Sequence, residues 1–319
     1  MKISSLKILS LKAWSPKAFF EAMFFTPSWY HYMLMILLFP LSLVYGTLML
    51  LRRVLTPKSH FSIPIISVGN LMVGGTGKTP FTIAIASCYE GVTIISRGYG
   101  RQSRGLIQVS QKGQILTTVQ ESGDEPMLLA TSLPTASVIV SENRKLAIEL
   151  AMREGAKIIL LDDGFSRVGI KKFEILLEPQ CISNTLPFPA GAFREFAFTK
   201  RIADIIAKEG RDFHREISFE NLSDKMLLVT AISQPQRLDS YLPHGVVAKV
   251  YLDDHAYFDE EVLKAKMLEY GANTLLVTEK DAIKMQGFKL PLSLMKLKLR
   301  LNDTLFISIN HYLRKYNVH

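Results

Sequence analysis

The sequence predicts an α/β fold: a doubly wound, mainly parallel sheet, followed by a second, smaller α/β domain and preceded by an apolar, membrane-associated helix. Short apolar runs alternate with helix-like stretches from residue 64 to about residue 210, as in a parallel sheet that helices cover on both faces. A second alternating set begins at about residue 226, and residues 30–51 contain no Lys, Arg, Asp or Glu. We therefore predict an N-terminal basic and apolar segment (1–55), a main domain (56–220) and a smaller C-terminal α/β domain (221–319).

The strongest local signal is a glycine-rich turn at residues 68–80, Val-Gly-Asn-Leu-Met-Val-Gly-Gly-Thr-Gly-Lys-Thr-Pro. It follows a β-type run and precedes a helix-like one. Such a turn directs backbone N–H groups and the positive end of a helix dipole at an anion. The residues predicted to bind a nucleotide there are Gly74, Gly75, Thr76, Gly77, Lys78 and Thr79.

Two side chains of this turn carry distinct roles. Lys78 is predicted to reach the outer phosphates, and the Thr79 hydroxyl is predicted to ligate Mg²⁺. The complete phosphate-loop pattern has glycine where Met72 stands, but the Gly-Gly-Thr-Gly-Lys-Thr core is intact. A purely structural turn is the alternative, and the Lys-Thr pair after three glycines favours nucleotide binding. The predicted fold class is therefore P-loop NTPase-like.

A second signal lies at residues 157–164, Lys-Ile-Ile-Leu-Leu-Asp-Asp-Gly. An apolar run without polar alternation is typical of a strand buried on both faces. Asp162 and Asp163 at its carboxyl end would lie beside the phosphate loop, where Mg²⁺ is held. The alternative is a surface turn. Thr278–Asp281 lacks the spacing of a guanine-specificity motif, so ATP is the expected nucleotide.

Three other places carry candidate residues. The turn from Arg97 to Arg101 suits a phosphate contact or a plain basic loop equally well. Asp124 precedes an apolar helix, where an acidic residue is more often a helix cap than a catalytic group. His255 follows two aspartates, a pattern that alone more often marks a solvated acidic turn.

The overall charge indicates the classes of partner that this chain could bind but does not choose among them. The chain has 319 residues, 48% hydrophobic residues and a formal net charge of +9, which favours nucleic acid, phosphorylated substrates or an anionic membrane. Because no basic motif is interleaved with aromatic residues, no nucleic-acid partner is expected. No obligate protein partner is evident. Cys88 and Cys181 have neither disulfide-framework nor zinc-site spacing.

The apolar run at residues 30–51 is long enough to cross a bilayer, and Trp29, Tyr30 and Tyr32 crowd its start as interfacial aromatic residues do. Three interpretations stay open: a spanning helix, a membrane-embedded or interfacial hairpin, and a buried core helix. A spanning helix would strand the lysines of residues 1–24 outside the cytosol, against the positive-inside tendency. Those lysines lie five apart among apolar residues, as in a basic interfacial helix. We therefore favour a shallow, one-sided association with the membrane.

The ordered strings of this chain together resemble the tetraacyldisaccharide 4'-kinase family. The resemblance covers nearly the whole chain from about residue 27. Its strings are Pro27–Trp29, Pro40–Arg53, residues 68–80, Ser96–Arg101, Gly123–Pro126, Leu161–Phe165, Pro189–Glu195, Asp254–Phe258 and Val277–Asp281. The resemblance implies an ATP- and Mg²⁺-dependent kinase of lipid A biosynthesis on the cytoplasmic face of a Gram-negative inner membrane. Its implied substrate is a lipid disaccharide 1-phosphate, which it phosphorylates to lipid IVA.

The resemblance also implies residue roles. Asp124 would act as the base on the 4'-hydroxyl, with His255 paired to it. The implied metal residues are Thr79, Asp162, Asp163 and Glu195, and the implied substrate-binding or phosphate-binding residues are Arg97, Arg101 and Arg194.

This chain departs from the family pattern at a few positions. Ser166 and Arg167 stand where a Gln and often a His are expected, and Ala256 follows His255 where members often have a second histidine. These positions concern local substrate contacts. An alternative from another class is a membrane-associated P-loop NTPase that acts as a switch or an assembly factor.

Overall fold

The computed structural model describes residues 8–9, 16–179 and 182–317, which form two sheets with helices packed against them. The larger sheet has the strand order β5-β4-β6-β3-β7-β2-β8-β9, with all strands from β6 to β9 parallel and β4 and β5 added as an antiparallel hairpin. Its strands are β2 (Ile65–Gly69), β3 (Val92–Ser96), β4 (Ile107–Gln111), β5 (Gln114–Ile115), β6 (Ser137–Val140), β7 (Ile158–Asp162), β8 (Phe173–Glu178) and β9 (Ile205–Lys208). The predicted doubly wound, mainly parallel sheet is confirmed.

The smaller sheet has the strand order β1-β12-β11-β13-β14-β10 and is parallel except for β10. Its strands are β1 (Ile8–Leu9), β10 (Phe213–Glu220), β11 (Met226–Thr230), β12 (Val246–Tyr251), β13 (Thr274–Thr278) and β14 (Leu292–Leu301). The basic interfacial helix predicted near the N-terminus lies outside the described residues, except for Ile8–Leu9, which form a strand instead.

Nine α-helices occur within the described ranges. They are α1 (Pro16–Phe25), α2 (Trp29–Leu55), α3 (Lys78–Ala86), α4 (Val119–Ser122), α5 (Asp124–Ser132), α6 (Arg144–Arg153), α7 (Glu260–Tyr270), α8 (Glu279–Lys284) and α9 (Asp303–Arg314). Short 3-10 helices span Ala197–Ile202 and Pro235–Tyr241.

The larger sheet has a separate hydrophobic core on each face. Along β2, Ile66 and Val68 join one cluster with Phe81 of α3, whereas Ile65 joins the other cluster with Ile148 of α6. Successive side chains of a strand point to opposite faces, so a strand covered on both faces has apolar residues throughout. This arrangement explains the unbroken apolar runs of the sequence.

Two elements belong to the sheet on the other side of the predicted domain boundary, which lies between residues 220 and 221. Strand β10 precedes that boundary but pairs with β14 of the smaller sheet. Helix α9 follows the boundary, yet Leu305 and Ile309 join the core of the larger sheet, and the Tyr312 hydroxyl donates to the Ile65 carbonyl over 3.1 Å. Each sheet is therefore completed by an element from the other side of residue 220. The proposed division into domains stays a prediction.

Helix α2 contacts the rest of the protein along one stripe. Its buried residues recur every four or seven positions, which keeps them on one face, and they are His31, Met35, Ser42, Gly46 and Arg53. Only 17% of its most apolar window is buried. The buried-core interpretation of this segment is therefore wrong, and the segment is one continuous helix despite Pro40. Among the described residues it is the one helix long and apolar enough to cross a membrane by length and composition.

Candidate active site

The phosphate loop connects β2, which ends at Gly69, to α3, which begins at Lys78. Gly77 precedes the helix in a left-handed conformation, with φ of 82°, which glycine adopts without steric cost. Lys78 Nζ donates to Asn70 Oδ1 over 3.3 Å, and Asn70 Nδ2 donates to Thr76 Oγ1 over 2.9 Å. Asn70 thus braces both the loop and its lysine, a role that we did not predict from the sequence.

The start of the loop is tied to the segment around Arg194. Met72, which stands where the phosphate-loop pattern has glycine, is buried and forms an antiparallel bridge with Phe193. The Arg194 N–H donates to the Leu71 carbonyl over 2.7 Å. Met72 therefore fits the core, and the bridge brings Arg194 next to the phosphate loop.

Asp162 and Asp163 lie at the carboxyl end of β7, beside the loop, because β7 is the parallel neighbour of β2 and Val68 pairs with Asp162. Burial raises the pKa of Asp162 to about 7. Burial also acts on Asp163, but the charges of Lys78 and Arg194 hold the pKa of Asp163 below its usual value. Arg194 Nη1 lies 3.0 and 3.1 Å from the two Asp163 oxygens, and Lys78 Nζ lies 3.6 Å from Oδ1.

The residues around Asp162 fit a magnesium–nucleotide complex better than a metal site made of protein alone. Among the described residues, the buried Asp162 carboxylate accepts two hydrogen bonds, both long at 3.4 Å, from Thr82 and Ser96. A desolvated carboxylate with such weak hydrogen bonds suits a cation, and the Thr79 hydroxyl stays the predicted further oxygen ligand at the same loop. No group of three or more His, Cys, Asp or Glu that could hold a metal occurs in residues 8–9, 16–179 and 182–317. Mg²⁺ usually takes one or two carboxylates together with phosphate oxygens and water.

Glu195, the fourth predicted metal residue, is engaged by a different partner. Both of its carboxylate oxygens accept hydrogen bonds of 2.7 Å from Arg53, at the end of α2. Arg53 also donates to the Phe165 carbonyl over 3.1 Å, and its guanidinium lies 4.4 Å from the centre of the Phe165 ring. The metal role of Glu195 stays a prediction, while the structure gives it a contact that ties α2 to the larger sheet.

The buried pair leads to a prediction for stability. Arg53→Met is expected to lower the free energy of unfolding by about 3 kcal/mol, because the Glu195 carboxylate would stay buried without its counter-charge. Urea unfolding in detergent measures this loss. The double variant Arg53→Met/Glu195→Gln removes both charges and should regain most of the stability. A Glu195→Gln variant that keeps wild-type stability but loses Mg²⁺-dependent ATP binding would contradict the structural role and support the metal role.

Asp124 and His255, which lie 131 residues apart, are in contact. His255 Nδ1 lies 3.0 and 2.9 Å from the two Asp124 carboxylate oxygens. Asp124 is the first residue of α5, on the larger sheet, whereas His255 follows β12 of the smaller sheet. The His255 N–H donates to the Ala231 carbonyl over 3.1 Å, which fixes the loop that carries the imidazole. The pair therefore depends on both sheets.

The environment of Asp124 keeps its carboxylate ionised. Burial would raise its pKa, but the hydrogen bond from His255 and the charges of Lys280, His255 and Lys284 hold the pKa of Asp124 well below its usual range. The Lys280 and Lys284 Nζ atoms lie 3.5 and 3.2 Å from Asp124 Oδ2. Neither lysine is among the residues that we predicted as functional, although the Thr278–Asp281 string contains one of them.

The Arg97–Arg101 turn borders the Asp124–His255 pair, since the Tyr99 ring lies 5.3 Å from the His255 ring. Arg97 is exposed. The Arg101 guanidinium is directed inward, where it donates to Glu142 over 2.5 Å and to a backbone carbonyl. Substrate binding by both arginines stays a prediction.

Two further arginines concentrate positive charge near Asp162 and Asp163. Burial and the neighbouring Arg167 lower the pKa of Arg144 to about 10, and burial and Arg97 lower the pKa of Arg167. Arg167 is one of the departures from the family pattern, and no local pattern marks Arg144. The smaller sheet also reaches the phosphate loop, because Arg237 Nη1 donates to the Gly75 carbonyl over 2.8 Å.

Comparisons with known proteins agree on one family. The family model of LpxK, tetraacyldisaccharide-1-P 4'-kinase, matches residues 34–313. The tetraacyldisaccharide 4'-kinase of Helicobacter pylori strain 26695 is 44% identical over 300 residues, which cover 93% of this chain and 96% of that protein. The enzyme of the same name from Campylobacter jejuni strain NCTC 11168 is 41% identical over 300 residues, with coverage of 92% and 95%.

A solved structure extends the likeness to the fold. The crystal structure of the "apo" form of LpxK from Aquifex aeolicus in complex with ATP superposes with a TM-score of 0.74 and 27% sequence identity, and the match covers 88% of this chain and 99% of that one. The chain therefore belongs to the tetraacyldisaccharide-1-phosphate 4'-kinase family.

Proposed function

We propose that this protein transfers the γ-phosphate of ATP to the 4'-hydroxyl of tetraacyldisaccharide 1-phosphate, giving lipid IVA in lipid A biosynthesis. The observation that carries the proposal is that the part-buried Asp124–His255 pair lies near the phosphate loop: Glu125, next to Asp124, is close enough for its charge to raise the pKa of Asp162, which ends the strand beside β2. The relatives named as tetraacyldisaccharide 4'-kinases, and the LpxK structure with ATP, support the same reaction.

The donor half of the site comes from the larger sheet. The backbone of residues 74–79 and Lys78 would bind the ATP phosphates, with Lys78 held toward them by Asn70. Thr79 and Asp162 would hold Mg²⁺, which when bound neutralises charge on the β- and γ-phosphates. Asp163 and Glu195 are proposed as further groups of this metal cluster, each with an arginine partner in the present structure.

The acceptor half comes from Asp124 and His255. Asp124 would accept the proton of the 4'-hydroxyl, while His255 fixes the orientation of its carboxylate. Phosphoryl transfer depends mainly on positioning and charge, so a carboxylate that is a weak base but well oriented is sufficient. Arg97, Arg101 and Arg194 are proposed to bind the substrate or the transferred phosphate, as the positive charge around the site favours.

The deciding experiment follows labelled γ-phosphate from ATP in the presence of tetraacyldisaccharide 1-phosphate. Label in a lipid bisphosphate supports the kinase. Label recovered only as free phosphate, with the lipid unchanged, would reject the kinase and support an NTPase that acts as a switch or assembly factor.

We further propose that the protein lies on the cytoplasmic face of a Gram-negative inner membrane and that α2 enters the lipid from that side. The exposed side chains of α2 are mostly large and apolar, including Leu37 at 75% exposure, while Arg52 and Arg53 mark its C-terminal end. The fixed contact between Arg53 and Glu195 would keep the active site close to the membrane surface, where the acyl chains of the substrate reside.

Charged substitutions on the exposed face of α2 test this placement. Ile36→Glu/Leu37→Glu/Val44→Glu is expected to move most of the protein to the supernatant when it is sedimented with anionic phospholipid vesicles, because each buried carboxylate costs roughly 2–3 kcal/mol in lipid. Leu268→Glu, on the exposed face of α7, is the control and should sediment as the wild type does. Unchanged sedimentation of a folded triple variant would contradict insertion of α2.

A further inference from the structure

Helix α8 presents two lysines to Asp124 from the smaller sheet. Lys284 Nζ lies 3.2 Å and Lys280 Nζ 3.5 Å from the same carboxylate oxygen, Oδ2. Residues four apart in a helix share one face, so both ammonium groups reach one target. The Lys284 side chain is 2% exposed, and in the part of the chain that the structure describes, Asp124 is the one carboxylate within ion-pair distance of it.

The position of α8 is fixed by contacts that do not involve Asp124. The Thr278 hydroxyl caps the helix by accepting from the Asp281 N–H over 3.2 Å. The buried Asp281 carboxylate accepts from the hydroxyls of Thr278 and Thr230, over 2.7 Å each, and from the Ala231 N–H over 3.1 Å. These bonds attach the first turn of α8 to the ends of β11 and β13. The lysines are therefore held in place from the smaller sheet.

The same contacts connect the lysines to the loop that carries His255. Lys284 Nζ donates to the Ala256 carbonyl over 3.2 Å, and the Ala231 carbonyl accepts from the His255 N–H over 3.1 Å. Lys284 thus contacts the Asp124 carboxylate and also the backbone of Ala256, the residue that follows His255.

Several charged or titratable groups face the Asp124 carboxylate or its partners. His255, Lys280 and Lys284 contact it directly. Glu125 pairs with Lys280 over 3.2 Å, and Asp254 lies 3.7 Å from His255 Nε2. Burial, together with the nearby Asp124 charge, raises the pKa of Tyr257. Of the groups in direct contact, Lys280 and Lys284 are the two that present an ammonium group, at 3.5 and 3.2 Å from Asp124 Oδ2. A buried carboxylate without such charge would be protonated more easily.

We propose that Lys284, assisted by Lys280, is a positioning residue for phosphoryl transfer, which holds the Asp124 carboxylate ionised and in one orientation beside His255. The inference rests on the proposed role of Asp124 as the proton acceptor. The lysines weaken Asp124 as a base, but in a loose phosphoryl-transfer transition state orientation matters more than base strength. The Val277–Asp281 string of the family then has a function: it anchors the helix that supplies both lysines.

The pH dependence of Lys284→Met tests the proposal. Methionine keeps the length and the apolar stem of lysine but removes the charge. An opposite charge at this distance lowers a carboxyl pKa by about 1–3 units, so its removal raises the pKa of Asp124 and increases the inactive, protonated fraction as pH falls. The raised pKa of Asp124 approaches at most the ordinary carboxyl value of about 3.9, so the ratio of wild-type to variant kcat/KM for the lipid is expected to be constant from pH 8.5 to about 6 and about twofold larger at pH 4. Because the two proteins are compared with the same ATP at each pH, titration of the nucleotide cancels in this ratio.

Three further variants separate positioning from folding. Lys284→Arg keeps the charge and should keep the wild-type pH dependence even where its turnover is lower. Lys280→Met/Lys284→Met should enlarge the change at acidic pH. Lys296→Met, which removes an ion pair with Glu220 elsewhere on the smaller sheet, should leave the profile unchanged. ATP affinity should stay at the wild-type value in all of them, which also shows that they fold.

The outcomes distinguish this inference from the proposed function. A Lys284→Met variant whose loss of activity is the same at every pH would reject the positioning role, provided that Asp124→Asn is inactive. A fully active Asp124→Asn variant would instead reject Asp124 as the proton acceptor. If neither variant affects lipid phosphorylation, both the role of Asp124 and the role of Lys284 are wrong.

Discussion

Asp124→Asn is expected to lower kcat for lipid phosphorylation about a thousandfold and to leave the dissociation constant for ATP near the wild-type value. Asparagine has the shape of aspartate, and its oxygen can still accept a hydrogen bond from His255 Nδ1, which is 2.9–3.0 Å from the aspartate oxygens. It cannot accept the proton of the acceptor hydroxyl. Single-turnover phosphorylation and nucleotide binding, measured on the same preparation, separate the two effects.

The control for this variant is Asp239→Asn, which removes a carboxylate from an exposed ion pair with Lys249. Its turnover and ATP affinity should equal those of the wild type, since exposed pairs contribute little to stability. Wild-type turnover in Asp124→Asn would exclude Asp124 from the mechanism. A loss of ATP binding that parallels the loss of turnover would mean that Asp124 acts on the donor half of the site or on the fold.

Acid should affect the folded protein through the same carboxylate. The pKa of Asp124 is lower in the folded chain than in an unfolded one, so its ionisation stabilises the fold above the ordinary carboxyl pKa. This contribution declines as the pH falls below the ordinary carboxyl pKa, where the unfolded chain binds the proton first, and is fully lost once the pH has fallen through the lower, folded value. The Asp124 cluster therefore keeps both its charge and its stabilising effect across the physiological range.

The larger sheet could be predicted from the sequence because each of its buried strands is marked by a short run of neighbouring apolar residues. Strands β2 and β7 are buried on both faces, which requires continuous apolar residues, and both end at the edge where the phosphate loop and the two aspartates lie. The order of these signals along the chain is enough to place Lys78 and Asp162 at one edge. The family resemblance then supplied the roles of Asp124 and His255, which their surroundings in the sequence did not favour.

Pairings between distant segments could not be predicted in the same way. Arg53 has the sequence context of a positive charge that flanks a membrane helix, and nothing near Glu195 distinguishes a metal ligand from the partner of a buried arginine 142 residues away. Likewise, Lys284 lies in an ordinary short helix, and its proximity to Asp124 arises only when the two sheets pack together. Strand β10 pairs with β14, which lies far along the chain (Glu220 pairs with Leu294), so no local pattern shows that β10 belongs to the smaller sheet.

The second large effect is expected from a substitution in the donor half of the site, and it should change ATP binding as well as turnover. Lys78→Met is expected to weaken ATP binding at least tenfold and also to lower kcat by about 10²–10³-fold, because the ammonium group would contact charge that is present in bound ATP and grows in the transition state. Equilibrium binding of ATP and single-turnover phosphorylation measure the two losses.

Asn70→Ala is the matched variant for Lys78, since it removes the side chain that holds Lys78 Nζ at 3.3 Å and the bond from Asn70 to Thr76 but keeps the lysine itself. It should weaken ATP binding in the same direction by a smaller factor. Unchanged ATP affinity in Lys78→Met would contradict phosphate binding by this loop. Because Asp124→Asn should impair turnover alone and Lys78→Met both binding and turnover, the two variants together test whether Asp124 acts in the acceptor half and Lys78 in the donor half of the site, as proposed.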